Sequence, residues 1–160
     1  MRDVPSPAMR VRRHGSFQLD LPPVEAFKLF TAAGERLWVP GWSPTLLGAL
    51  PQHPGLVFTT GHGPEHTVWT VLDSDPATGR LRYSRVTPGS RAGIVTVRVT
   101  PAADGSHVAV DYDLTALGED GEAALDAYSL DAFAEMMEAW RRLIVAMLAE
   151  RRADLLTLLV

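Results

Sequence analysis

Between residues 122 and 160 the chain contains neither proline nor glycine. Across that stretch Leu125, Tyr128, Phe133, Met136, Met137, Trp140, Leu143, Ile144, Met147 and Leu148 recur at intervals close to three and four, and Glu138, Arg141, Arg142, Glu150 and Arg151 fill the other side. The spacing predicts one amphipathic helix of about 30 residues, ~45 Å long, starting near Asp120. Such a helix needs an apolar surface of similar length to cover it. The rest of the chain must supply that surface.

It supplies strands. "GSFQLDLP" sets Phe17, Leu19 and Leu21 against Ser16, Gln18 and Asp20, the pattern of a half-buried strand. "PPVEAFKLFTAAGERLW" then reads as a short helix opened by Pro22 and Pro23, with Val24, Phe27, Leu29 and Phe30 on its apolar side. Gly34 ends or kinks it, and Glu35 to Trp38 form a second short turn. "TLLGAL" is a weak strand; "GLVFTTGH" and "HTVWTVLDSD" are stronger ones, rich in Val, Trp and Thr. Beyond the turn "DPATGR", Leu81, Tyr83 and Arg85 share one face. Past "PGSRAG" so do Val95, Val97 and Val99. Past "PAADGS" so do Val108, Val110, Tyr112 and Leu114. Strands so spaced make an antiparallel meander with one buried and one wet face. The expected architecture is α+β: about seven strands in a curved antiparallel sheet wrapped around a long C-terminal helix, with two short helices after the first strand. Residues 1–9 read as a disordered lead-in, and 10–160 as a single domain.

The order of elements resembles the helix-grip fold of the START-like (SRPBCC) superfamily, which includes birch-pollen-allergen-like proteins and the polyketide cyclase/dehydrase group. The resemblance is carried by "FQLDLPPVEAFKLFTAAGERLWVPGW", "VFTT", "TVWTVLDSDPATGRLRYSRV", "VAVDYDLTAL" and the terminal helix, over residues 11–152. It implies a cavity between the concave face of the sheet and the long helix, used for an apolar small molecule such as a lipid, polyketide or aromatic metabolite. The superfamily hosts carriers, receptors, cyclases and chaperone activators, so the fold does not select among them.

A cavity there would be lined by Phe133, Met136, Met137 and Trp140 from the long helix, by Tyr83, Arg85, Val97, Val110 and Tyr112 from the strands, and by Phe30, Trp38 and Trp42 from the short helices and their exit. Aromatic and methionine side chains suit apolar ligands, although a solid core has the same periodicity. Pro40 and Gly41 make "GERLWVPGW" tight enough to bring Trp38 and Trp42 to one end of the cavity, with Glu35 and Arg36 facing water or paired on a neighbouring loop. Arg85, sharing a face with Leu81 and Tyr83, needs an acid or a ligand anion if it points inward; a strand-end arginine would reach water instead.

Other chemistries find less support. The chain has no cysteine, which excludes disulfides, thiolate catalysis and Cys-based zinc sites and fits a reducing cytoplasm. "HGPEH" brings together His62, Glu65 and His66, which are zinc-ligand types, but Gly63 and Pro64 mark a hairpin turn, so no metal or other cofactor is expected. His62 remains a candidate general base at a cavity mouth. There is no G-x-S-x-G elbow and no phosphate-binding glycine loop. A net charge of −4 argues against nucleic acid as a partner. No run of about 18 apolar residues marks a membrane span, and "MRDVPSPAMRVRRHG" lacks the apolar core of a signal peptide.

Three functions fit. The first is binding of an apolar small molecule. The second is a cyclase/dehydrase-type enzyme in the same cavity, with Tyr83, Arg85, Tyr112 and His62 as candidate catalytic residues. The third is a protein-interaction module. "ADLLTLLV" after Arg152 either extends the helix or forms a homodimer contact.

Overall fold

A computed structural model describes residues 7–160; most of the expected lead-in lies outside them. β1 (Arg10–Leu19) is followed by α1 (Pro23–Lys28) and α2 (Ala32–Glu35), and then by six strands: β2 (Thr45–Leu46), β3 (Val57–His62), β4 (Glu65–Asp75), β5 (Arg80–Thr87), β6 (Arg91–Ala102) and β7 (Gly105–Ala116). The chain closes with α3 (Glu119–Asp126) and α4 (Leu130–Leu156). The sheet order is β1-β7-β6-β5-β4-β3-β2, antiparallel throughout. Consecutive strands pair through short turns, and β1 closes onto β7, so the first and last strands become neighbours.

The period-2 pattern decides which face is buried. Leu81, Tyr83, Val97, Val99, Val108, Val110 and Leu114 are all buried, and they meet in cross-strand register: Leu81 opposite Val97, Tyr83 opposite Val95, Val97 opposite Val110. Arg10 and His14 of edge strand β1 lie on the wet face and pair with Asp113 and Asp111 at 2.7 and 2.8 Å. These pairs are exposed and add little stability.

The C-terminal helix departs from expectation. It is broken: α3 ends at Asp126, and Ser129 starts α4 by accepting a hydrogen bond from the Ala132 N–H at 3.1 Å. An N-capping hydroxyl satisfies orphan amides at a new helix start, so a serine ended the run where neither proline nor glycine was present. Tyr128 therefore sits in the gap between two helices, not on a helical stripe. The segment after Arg152 continues the helix, with a non-helical turn at Arg151, and Leu155 is fully buried. Val24 is 62 % exposed, contrary to its place in the expected apolar side of α1. In a helix of only six residues Ala26, Phe27 and the following Leu29 and Phe30 already fill the inner side. The expected strand in "TLLGAL" shrinks to two residues.

α4 lies against β1, and one glycine sets how closely. Gly15 pairs with Val110, and a Cβ on it would come 2.6 Å from Met137 Cγ and 3.1 Å from a Phe133 ring carbon. The missing side chain lets α4 settle onto the sheet at that point. The layers are closed there and open toward the other end, where α2 and the β3–β4 hairpin stand. No helix among the described residues is long and apolar enough to cross a membrane.

Candidate functional site

At that open end a cavity of about 290 Å³ lies between the concave face of the sheet, α2 and its exit loop, and α4. The β-strands contribute Phe58, Trp69, Tyr83, Arg85, Val95, Val97 and Tyr112; Trp42 comes from the loop after α2, Trp140 from α4, and Tyr128 from the break before it. Pro40, Gly41, Gly61 and His62 are exposed and mark the mouth.

The aromatic walls are fixed by their own hydrogen bonds. Trp42 Nε1 donates to the Ala32 carbonyl at 2.9 Å, and Trp69 Nε1 donates to Thr60 Oγ1 at 2.9 Å. Both indole N–H groups are thus satisfied inside the protein. Trp42 meets Trp69 edge-on at 5.7 Å between centroids, and Phe58 stacks nearly parallel to Trp69 at 5.9 Å. Trp140 and Tyr128 flank Tyr112 at 6.4 and 5.7 Å. The result is an aromatic clamp whose two indoles Trp42 and Trp69 are each tied down by a hydrogen bond.

Tyr83, Arg85, Val97, Tyr112, Trp42, Trp140 and His62 of the expected site residues stand at this cavity. Six others do not. Phe30 and Trp38 are buried in the layer beneath, with Trp38 Nε1 donating to the Leu29 carbonyl at 2.8 Å and its ring against Phe30 and Trp140. Val110, Phe133 and Met137 are buried at the closed end, where Gly15 admits the helix, and Met136 is only partly buried against the core. In "GERLWVPGW", then, one indole plugs the core and the other forms the wall.

Residues the pattern did not single out complete the site. Trp69 alternates with Thr67 and Val71 and was readable on that ground. Arg91 opens β6, where no periodic signal reached it, and Tyr128, expected on the helical stripe, lies instead in the break between α3 and α4. Glu35 is the main correction. It was expected to face water or to pair on a loop; instead it lines the cavity. α2 has only four residues, too few for periodicity to reveal which way it points. Burial pushes the Glu35 carboxyl well above the ordinary carboxylate range, which favours its neutral form in the cavity wall.

The two phenols stay protonated. Tyr83 donates to the Phe30 carbonyl and accepts from Gln52 Nε2 at 2.8 Å. Burial pushes it well above its ordinary value, with the nearby Glu35 adding to the shift and Gln52 opposing it. Tyr112 is also raised, first by burial and then by Tyr128, with Arg85 opposing. At neutral pH neither serves as a base. Nearer the mouth, Arg91 holds Glu65 at 2.8 Å and donates to Ser90 Oγ at 2.9 Å, and this bond keeps Glu65 below the ordinary carboxylate range. His62 pairs with Glu65 in register while His66 sits opposite Gly61, so alternation sends the two histidines to different faces. Among the described residues no three His, Asp or Glu side chains are placed to hold a metal ion.

No curated protein matches the sequence. Solved structures with a similar fold include Ara h 8.0201, 13% identical with a TM-score of 0.64, where the match covers 89% of this chain and 100% of that one. Norcoclaurine synthase from Thalictrum flavum is 12% identical with a TM-score of 0.62, over 86% of this chain and 88% of that one. A protein from Rhodobacter sphaeroides is 22% identical with a TM-score of 0.61, over 86% and 91% respectively. At these identities the likeness is one of fold alone. The family described as polyketide cyclase / dehydrase and lipid transport matches residues 10–151, a description that concerns hydrophobic ligands in general. With nearly the whole chain matched and a seven-stranded antiparallel sheet closed by a C-terminal helix, this protein belongs to the polyketide cyclase / dehydrase and lipid transport family, within the START-like superfamily of helix-grip proteins.

Proposed function

We propose that this protein binds a flat apolar small molecule, with an aromatic ring system, in the cavity between the sheet and α4. The observation that carries this reading is the clamp of Trp42, Trp69, Trp140 and Tyr112 around a chamber of about 290 Å³. That is close to the lower bound of the roughly 300–1,000 Å³ typical of small-molecule pockets. Because the indole N–H groups of Trp42 and Trp69 are already satisfied, a ligand meets the ring faces of those two residues and not their donors, which favours an apolar body against them.

The test is titration with N-phenyl-1-naphthylamine, a neutral dye that brightens in apolar surroundings. Saturable binding of one dye per chain, at a Kd of about 1–10 µM, is the expected result, with Trp42→Ala weakening it at least about tenfold. Absence of saturable binding by the folded protein would overturn the reading.

A second reading, an enzyme of cyclase/dehydrase type, is favoured by one observation: the Glu35 carboxyl lines the cavity with its proton affinity raised by burial, which suits a proton donor. With Tyr83 and Tyr112 locked as phenols, Glu35 replaces them as the acid–base group of that reading, and Arg85 supplies stabilisation for a developing oxyanion.

A further inference from the structure

Among the described residues one cation of the cavity, Arg85, forms no ion pair. Arg85 is 8 % exposed. β5 holds it on the concave face, in register with Trp69 on one side and Gly93 on the other. Its Cζ lies 5.0 Å from the centroid of the Trp69 ring, and Gly93 offers no side-chain acceptor. Among the described residues its Nε is buried with no hydrogen-bond partner, and none of the ion pairs includes it. The carboxylate at that end, Glu65, is committed to Arg91, whose own Nε is likewise unpartnered. Of the two buried guanidiniums, only Arg91 is paired with that carboxylate. The other acid in the chamber, Glu35, forms no ion pair with Arg85 among the described residues.

An unpartnered buried cation is strongly unfavourable, and it is most readily tolerated where something else completes it. Trp69 offers its ring face, which stabilises the charge but leaves the N–H edge free. That free edge is a planar fork suited to two oxygens of one anionic group. We propose that the ligand of this cavity carries an anionic oxygen group, a carboxylate or sulfonate, that docks on the N–H edge of Arg85 while its ring system lies against Trp69 and Trp42. This rests on the apolar-ligand reading and narrows it to amphipathic aromatic acids. The apolar body fills the clamp, and the anion supplies the charge that Arg85 lacks.

The experiment compares two dyes with one skeleton: N-phenyl-1-naphthylamine, which is neutral, and 8-anilinonaphthalene-1-sulfonate, which adds an anion. Both are titrated into the full chain, and only saturable binding of one dye per chain is counted. The wild type is expected to hold the sulfonate at least about tenfold more tightly than the neutral dye. Arg85→Met is expected to erase that preference, bringing the ratio of the two affinities to within about twofold of one, and Arg85→Lys to keep only part of it. Should Arg85→Met fail to fold, the wild-type preference and the Arg85→Lys titration decide the matter. Equal binding of the two dyes by the wild type overturns the proposal and leaves the apolar-ligand reading standing. A sulfonate preference that survives in Arg85→Met overturns it too, by locating the anion elsewhere. Binding of neither dye removes both.

Discussion

Glu35 and Arg85 are each held in the chamber without an ion-pair partner, and burial acts on them in opposite ways. A carboxyl escapes the cost of burial by keeping its proton; a guanidinium cannot, because its proton is too tightly held to be lost. Glu35 therefore leaves a record in the pH dependence of stability. Its ordinary value is 4.5, and in the folded protein it is raised well above that. Between those two values the unfolded chain has released the proton and the folded chain has not, so rising pH favours unfolding. The contribution of Glu35 is least unfavourable at or below about pH 4.5 and worsens as pH rises toward the folded value. Glu35→Gln removes the titration and keeps a hydrogen-bond donor. The melting temperature of this variant should match the wild type near pH 4.5, with a gain that appears as pH rises above that and levels off once the folded carboxyl has ionised, in thermal unfolding followed by circular dichroism. A gain that is the same at every pH would mean the carboxyl is solvated. Sequence pattern could place Arg85, because its strand alternates over eight residues. It could not place Glu35, which is carried by a single turn of helix.

That turn is held by a contact that only glycine permits. A Cβ on Gly34 would stand 1.7 Å from the Lys28 carbonyl oxygen, so the end of α1 and the body of α2 touch through backbone alone. Thr31 fastens the same corner, accepting from the Gly34 N–H at 3.0 Å and donating to the Lys28 carbonyl at 2.8 Å. Gly34→Ala must push the two short helices apart, at a cost of about 1–3 kcal/mol, and it displaces Glu35 and Trp42 together with them. Urea denaturation should show the lower midpoint, and titration with the neutral dye should show weaker binding in the fraction that remains folded. An unchanged midpoint would show that the corner yields freely. The same scale explains where the sequence was legible. Strands and α4 are long enough for their period to average over many residues, and their faces could be assigned from Tyr83, Val97, Tyr112 or Trp140. The gap at Tyr128 depended on one capping serine, and the α1–α2 corner on one glycine; neither leaves a periodic trace. Phe133, Met137 and Val110 carried the right pattern for a cavity wall, yet Gly15, far from the helix in sequence, decided that they would be packed solid.

For the molecule as a whole, the sheet and helix have to do two things with one apolar face. At the Gly15 end they exclude everything and supply stability by burial; at the Trp42 end they stay apart and leave a chamber. Empty space lined by apolar side chains forgoes the contacts that a filled core would make. On the binding reading proposed above, the empty state is the less stable one, and a ligand that binds only the folded form recovers part of the difference, about 2.7 kcal/mol at one hundred times Kd. The division can be tested by filling the chamber from within. Val97 of β6 lines it, midway between Leu81 and Val110 in register. Val97→Phe directs the added ring into space that no protein atom occupies, so the usual penalty for overpacking a core does not apply. The variant should lose saturable binding of the neutral dye by more than about tenfold while its melting temperature holds or rises. A fall of more than about 4 °C, roughly 1 kcal/mol for a chain of this size, would mean that the wall around Val97 is already packed and that the chamber narrows before it reaches β6. Loss of binding with stability kept would instead show that the open end of the fold exists for the ligand, since the protein stands equally well without the space.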